Sequence, residues 1–279
     1  MSATLAGKVA LVTGGNRGLG AACVRELAAR GATVAVLARD PEAAAVVVKE
    51  LPGEGHLALP GDVTRQETLD AAVATVLAER GQLNVVVANA GVNRHGSLGE
   101  VTGDEYAEVV NTNLIGTYRT ARATADALAA GRGYLMIVSS VAAFAAVGGM
   151  APYASSKAGL EMLAHTLWLD LAPRGVDVGT VVPTWITTDM LAEAEAGIDD
   201  FAELRNTTEG LLSMYTDGVP GGPLGGSVSA EECATRIVDG IEARERRIWI
   251  PPILEEIWRL GPLLNSPLGE ILTRKLLES

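Results

Sequence analysis

Cysteine and histidine are scarce in this chain. Cys23 and Cys233 give neither a disulfide framework nor metal-ligand spacing. The three histidines, His56, His95 and His165, are scattered and suggest no metal site. Positive charge is in deficit: 22 Lys and Arg against 34 Asp and Glu leave a formal net charge of -12. That balance argues against nucleic acid or an anionic membrane as the main partner. No uninterrupted apolar run of about 20 residues occurs, so no membrane span is expected. No leader-like segment precedes the first strand pattern, and a soluble, cytoplasmic protein with reduced thiols is expected. No internal repeat is visible beyond a simple alternation of strands and helices.

What is present is a long apolar chain. Of 279 residues, 48% are hydrophobic and 20% charged, enough for a sizeable core and against global disorder. Val9–Val12 is a short continuous apolar run, the mark of a strand buried on both faces. A glycine turn follows, then an alanine-rich helical pattern to Arg30. Further strands are expected at 33–37, 56–59, 83–88, 134–138 and 176–182. Helices are expected at 41–50, from a Thr64 cap to Arg80, at 104–130, and from Pro152 to Leu171. After an irregular stretch, a helix at 229–243 and a last strand at 247–250 complete the pattern. Strands alternating with helices imply an α/β fold, doubly wound and Rossmann-type, with a mainly parallel sheet of about seven strands. Ligands in such sheets bind outside the carboxyl ends of the strands. Residues 1–251 read as one catalytic domain, with 188–226 as a substrate lid and 252–279 as an apolar helical tail.

Two patterns carry chemistry. Tyr153 and Lys157 are four apart on a predicted helix, so their side chains share one face. A free phenol has a pKa of about 10, and a nearby ammonium is expected to lower it, which suits proton exchange with a substrate oxygen. Gly14, Gly18 and Gly20 lie between a strand and a helix, where glycines let a diphosphate approach backbone N–H groups at a helix N-terminus.

Together these patterns resemble the short-chain dehydrogenase/reductase family in its single-domain branch, over roughly residues 6–250. Thr13-Gly-x-x-x-Gly-x-Gly20 is similar to its cofactor turn, Asp62-Val63 to its adenine pair, and Asn89-Ala90-Gly91 to the motif after the fourth strand. Asn113, Ser140, Tyr153 and Lys157 fall where that family has its catalytic residues. Pro183 and Thr188 match the segment after the sixth strand, although Thr184 stands where glycine is usual. The resemblance implies that Tyr153 exchanges the proton and that Ser140 holds the substrate oxygen. It implies that Lys157 lowers the tyrosine pKa and binds the nicotinamide ribose, and that Asn113 holds a water linking Lys157 to solvent. It also implies dinucleotide contacts at Gly14, Asn16, Arg17, Gly18, Leu19, Gly20, Arg39, Asp62, Val63, Asn89, Ala90, Gly91, Pro183, Ile186 and Thr188, beside Tyr153 and Lys157.

The implied activity is interconversion of a ketone or aldehyde and an alcohol with NADP(H), NAD(H) remaining possible. Ala38 stands where an NAD enzyme of this kind wants a carboxylate, and Arg39 and Arg17 are placed for a 2′-phosphate. Asp40 opposes this unless it caps the helix that begins at Pro41. Phe144, Met150, Trp185, Met190, Leu191 and Tyr215 are expected to form an apolar substrate pocket. The cysteines are expected to be half-buried helix residues. A homodimer or homotetramer is expected, packing through helices 104–130 and 153–171. The tail face of Leu268, Ile271, Leu272 and Leu276 is expected to add protein rather than membrane contact. The alternatives are an extended-branch epimerase or dehydratase, whose glycine spacing differs, and a nucleotide-sensing protein that has lost the reaction.

Overall fold

A computed structural model gives the structure of the protein; it describes residues 4–145, 148–188, 227–256 and 258–259. The expected lid beyond Thr188, with Met190, Leu191 and Tyr215, lies outside the described residues, as does the leucine face of the tail. Seven parallel strands form one sheet: β1 (Val9–Thr13), β2 (Thr33–Ala38), β3 (Leu57–Pro60), β4 (Val85–Ala88), β5 (Tyr134–Val138), β6 (Asp177–Pro183) and β9 (Arg247–Ile250). Their order is β3-β2-β1-β4-β5-β6-β9. β1 therefore pairs with both β2 and β4, and a crevice opens at that switch point. Two short strands, β7 (Ile186–Thr187) and β8 (Val228–Ser229), pair separately.

The strands are apolar on both faces because both faces are covered. Val12, Val36, Val87 and Met136 point to a layer containing α1 (Gly18–Ala29), α2 (Pro41–Lys49) and α7 (Ala230–Ala243). Leu11, Leu37, Val86 and Ile137 point the other way, to α3 (Gln66–Arg80), α5 (Gly116–Gly131) and α6 (Ala151–Leu171). Each such side chain, fully buried, contributes roughly 1.5–3 kcal/mol. Cys23 and Cys233 are not half-buried as expected. Both are fully enclosed between α1 and α7, where burial drives their thiol pKa values upward.

The expected helix at 104–130 is continuous but not uniform. It consists of α4 (Gly103–Val110), one wide turn at Asn111–Ile115 with i→i+5 geometry, and α5. Thr102 and Glu105 start it with a reciprocal capping box. Ser229 and Glu232 do the same for α7. Thr64 does not cap α3. The helix begins two residues later, after Arg65, and the Thr64 hydroxyl donates instead to Asp62 Oδ1 at 2.8 Å. Among the described residues no helix is long and apolar enough to cross a membrane.

Asp40 is the cap expected of Asp before Pro. Its Oδ1 accepts from the N–H groups of Glu42 and Ala43, both at 3.0 Å. Replacing a capping carboxylate by alanine typically costs about 0.5–2 kcal/mol. Asp40→Ala is therefore expected to lower the urea midpoint without changing the slope of the unfolding transition; an unchanged midpoint would show that the cap is energetically idle.

Candidate active site

The site begins at the end of β1. Gly14 has φ +63° and Gly18 φ +52°, left-handed values that favour glycine. At Gly20 the constraint is space: a Cβ would lie 2.2 Å from Gly14 O and 2.5 Å from Asn89 Nδ2. Asn89, just past β4, donates its amide to Thr13 O at 3.0 Å and Gly14 O at 3.2 Å. The Thr13 hydroxyl accepts from the N–H groups of Asn89 and Ala90 at 3.0 and 3.1 Å. The two turns at the switch point are thereby locked together. Among the described residues no side chain caps the N-terminus of α1, and no acidic residue sits in its first turn. Its leading N–H groups and positive dipole end thus face the cavity available to an anion, so the turn fits a dinucleotide diphosphate.

Asp62 lies past β3. Burial pushes its carboxyl pKa up, but hydrogen bonds from the Thr64 N–H and hydroxyl, with Arg39 and Arg65 nearby, bring it below the usual carboxylate value. It is ionised at neutral pH and can accept hydrogen bonds.

Across the crevice, α6 carries Tyr153 and Lys157 on its sheet-facing side. Lys157 is buried, donates from Nζ to Val138 O at 2.8 Å, and lies 5.4 Å from the Tyr153 ring centroid. Burial lowers its pKa to about 8, and Glu161 opposes that fall. The expectation that the ammonium lowers the phenol's pKa does not hold for this site. Burial raises Tyr153 above its ordinary value, and a hydrogen bond with Ser140 counters only part of the rise. The physical reason is that burial in the protein disfavours the charged form of each group. Ser140 is buried at the end of β5 and its Oγ also accepts from the Ala142 N–H at 3.2 Å.

Asn113 occupies the wide turn between α4 and α5. Its Oδ1 accepts from the Val92 N–H at 2.8 Å, and its Nδ2 donates to Val92 O at 3.0 Å and Ser156 Oγ at 3.1 Å. Its side chain is thus spent on holding the segment after Gly91 against α6. Gly91 permits this approach, since a Cβ there would meet Asn113 Oδ1 at 3.3 Å.

These elements line one cavity of about 270 Å³. Every residue assigned above to the dinucleotide contributes to its wall, as do Ser140, Tyr153 and Lys157; Asn113 does not. Met150 and Trp185 line it too, whereas Phe144 turns away and packs on Trp249 at 5.9 Å and Trp258 at 6.4 Å. Thr184 lies on the wall with its N–H donating to Ile250 O at 2.9 Å, so β-branching is accommodated in an extension of the β6–β9 pairing. Two lining residues had no signal in the sequence. Asn93 Nδ2 and His95 Nε2 lie 2.8 Å apart, and burial lowers the imidazole pKa, leaving it neutral at pH 7.

Comparison with known proteins accounts for this arrangement. The family model for short chain dehydrogenase matches residues 8–199. The 3-oxoacyl-[acyl-carrier-protein] reductase FabG of Vibrio harveyi is 37% identical over 211 residues, 75% of this chain and 85% of that protein. Hydroxynaphthalene reductase arp2 of Aspergillus fumigatus is 36% identical, covering 77% of this chain and 80% of its own length. A short-chain type dehydrogenase/reductase from Mycobacterium marinum superposes with a TM-score of 0.76 at 25% identity, over 88% of this chain and 94% of that one. On these matches the chain belongs to the short-chain dehydrogenase family of NAD(P)-dependent oxidoreductases acting on CH–OH and C=O groups.

Proposed function

We propose that the protein is an NADP(H)-preferring reductase of a ketone or aldehyde, with Tyr153 as the acid. The observation that carries this reading is convergence: Ser140, Tyr153 and Lys157 share one cavity wall with an uncapped glycine turn. When bound, the nicotinamide supplies the hydride. The glycine turn and α1 N-terminus would hold the diphosphate, Asp62 and Val63 the adenine end, and Lys157 the nicotinamide ribose. Ser140 would hydrogen-bond the substrate oxygen as charge develops on it. Tyr153 would deliver the proton. Its raised pKa keeps the phenol protonated at neutral pH, the form a carbonyl reduction needs. Two relatives that carry the word reductase in their names agree with that direction. Met150 and Trp185 favour an apolar substrate body.

Preference for the phosphorylated cofactor rests on Asp40 and Arg39. Asp40 spends its carboxylate on α2 and is not part of the cavity wall, whereas Arg39 and Arg17 are. Ala38 leaves no acid at the end of β2 to bind a ribose diol. Two guanidinium groups beside one phosphate favour NADPH.

Self-association is proposed through the continuous helix of 104–130, with its wide turn, and through α6. Ile115, Tyr118, Met162 and Leu169 are 39%, 49%, 70% and 54% exposed there, more apolar area than scattered single residues need. A homodimer or homotetramer would cover it. Light scattering is expected to give a multiple of the chain mass, reduced by Met162→Asp with Leu169→Asp; a strictly monomeric wild type removes the claim.

Tyr153→Phe is expected to slow the chemical step by about 10²- to 10⁴-fold while cofactor affinity changes little. Near-normal turnover of a ketone panel by this variant, followed at the cofactor's absorbance, would take Tyr153 out of the mechanism. Arg39→Ala is expected to weaken NADPH about ten- to a hundredfold, through loss of a charge-assisted hydrogen bond worth roughly 1.5–3 kcal/mol. NADH affinity should barely move; equal loss for both would show that Arg39 does not read the phosphate.

A further inference from the structure

A cluster of polar groups lies beneath α6, behind the catalytic wall. Four buried polar atoms there have no hydrogen-bond partner among the described residues: Ser139 Oγ, Thr180 Oγ1, Glu161 Oε1 and Arg247 Nε. The backbone explains why they meet. Thr180 continues the β6 face whose Val178 shares a core cluster with Leu160 and Ala164 of α6, Thr180 pairs in register with Arg247 of β9, and Ser139 follows β5 with its N–H donating to Val181 O at 2.9 Å. Glu161 stands four residues after Lys157 on the same helix, one turn along the same face.

Glu161 is an unusual resident for this position. Its side chain is only 9% exposed, and it meets Arg247 at 2.6 Å through Oε2 alone. Arg247 is held in turn over the rings of Trp258 at 4.8 Å and Trp249 at 5.5 Å. Lys157 has the neutral carbonyl of Val138 as its hydrogen-bond acceptor. A buried ammonium with only a carbonyl for company is costly unless a countercharge is near. Glu161 is the carboxylate that acts on it and favours its charged form. The other ionisable groups around Lys157 are Tyr153 on α6 and, across the cavity, His95 and Asp62. The wide turn, β5 and β6 present Asn113, Ser139 and Thr180, all neutral.

We propose that Glu161 is a positioning residue for the active site: fixed by Arg247, it divides one buried negative charge between Arg247 and Lys157 and so keeps the lysine an ammonium in the cavity. The role rests on the reading of Lys157 as the cofactor-binding lysine, but its test needs no turnover. The chain has four lysines, Lys8, Lys49, Lys157 and Lys275. Lysine labelled with ¹³C at the ε-carbon therefore gives a spectrum in which Lys157 can be assigned by its loss in Lys157→Met and followed against pH in the full-length protein.

The wild-type midpoint is expected near about 8. Glu161→Gln, which keeps the size and removes the charge, is expected to lower it by roughly one to two pH units. Glu161→Asp should lie between the two. Arg247→Met removes the competing cation and should move the midpoint up; water entering through loosened packing would also raise it, so the deciding sign is the fall in Glu161→Gln, which loosening would not produce. An unchanged midpoint in Glu161→Gln, or a fall in Arg247→Met, overturns the proposal, and the two variants are independent arms. The alkaline limb of kcat/KM for ketone reduction should follow the same shifts. Absence of turnover with every ketone would instead overturn the proposed activity and leave the resonance shifts to decide the role of Glu161.

Discussion

The cavity depends on how closely two turns approach where the strand order reverses. Gly14 and Gly20 touch so tightly that no Cβ fits between them, and the Asn89 amide closes the contact from β4. Thr13 contributes from below, accepting from two consecutive N–H groups through one hydroxyl. A side chain at Gly20 would have to push the β1 turn away from α1, and the helix N-terminus would no longer face the crevice. The constraint is local in space but not in sequence, since Thr13 and Asn89 are separated by β2, β3 and their helices. The dinucleotide wall is therefore a consequence of the whole doubly wound topology rather than of the glycine motif alone.

A second constraint is burial. Lys157 and Tyr153 lie in a pocket that disfavours charge on either, so the lysine's pKa falls and the tyrosine's rises. Burial drives the two values apart, the lysine down to about 8 and the phenol above its ordinary value, with the phenol still the holder of its proton at neutral pH. Ser140 pulls the phenol back toward its ordinary range, and Glu161 does the same for the lysine. Protonation in this wall therefore responds to Glu161 behind the helix as well as to Ser140 in the cavity.

Much of this was legible in the sequence because strong local rules agree with the tertiary outcome. Val9–Val12 could only be a strand covered on both faces, and Asp40 before Pro41 reads as a cap because the carboxylate, the proline and the helix start reinforce one another. Where the rules compete, the reading slipped. Thr64 has the chemistry of a cap, but Asp62 two residues away offers a better partner for its hydroxyl. Asn113 lies within a helical period that hides the wide turn, because an i→i+5 turn leaves no compositional mark. Asn93 and His95 look like loop residues until Asn113 and the main-chain bond from Gly96 to Gly149 fold their segment onto the cavity. The direction of the Tyr153 shift is hidden for a related reason: spacing shows that an ammonium is near, but not how strongly burial opposes charge on the phenol.

Charge distribution ties site to surface. The chain carries a net charge of -12, yet the cavity wall holds Arg17, Arg39 and Lys157 against the single carboxylate of Asp62. A polyanionic dinucleotide therefore meets repulsion at long range and attraction at close range. At physiological ionic strength the Debye length is about 8 Å, so the long-range part is largely screened while the cavity contacts are not. The same sign inversion bears on the substrate. Among the described residues, Met150, Trp185 and the neutral His95 bring no charge to their part of the wall. That is in keeping with the apolar substrate proposed above, for which shape and hydrogen bonds rather than charge would select.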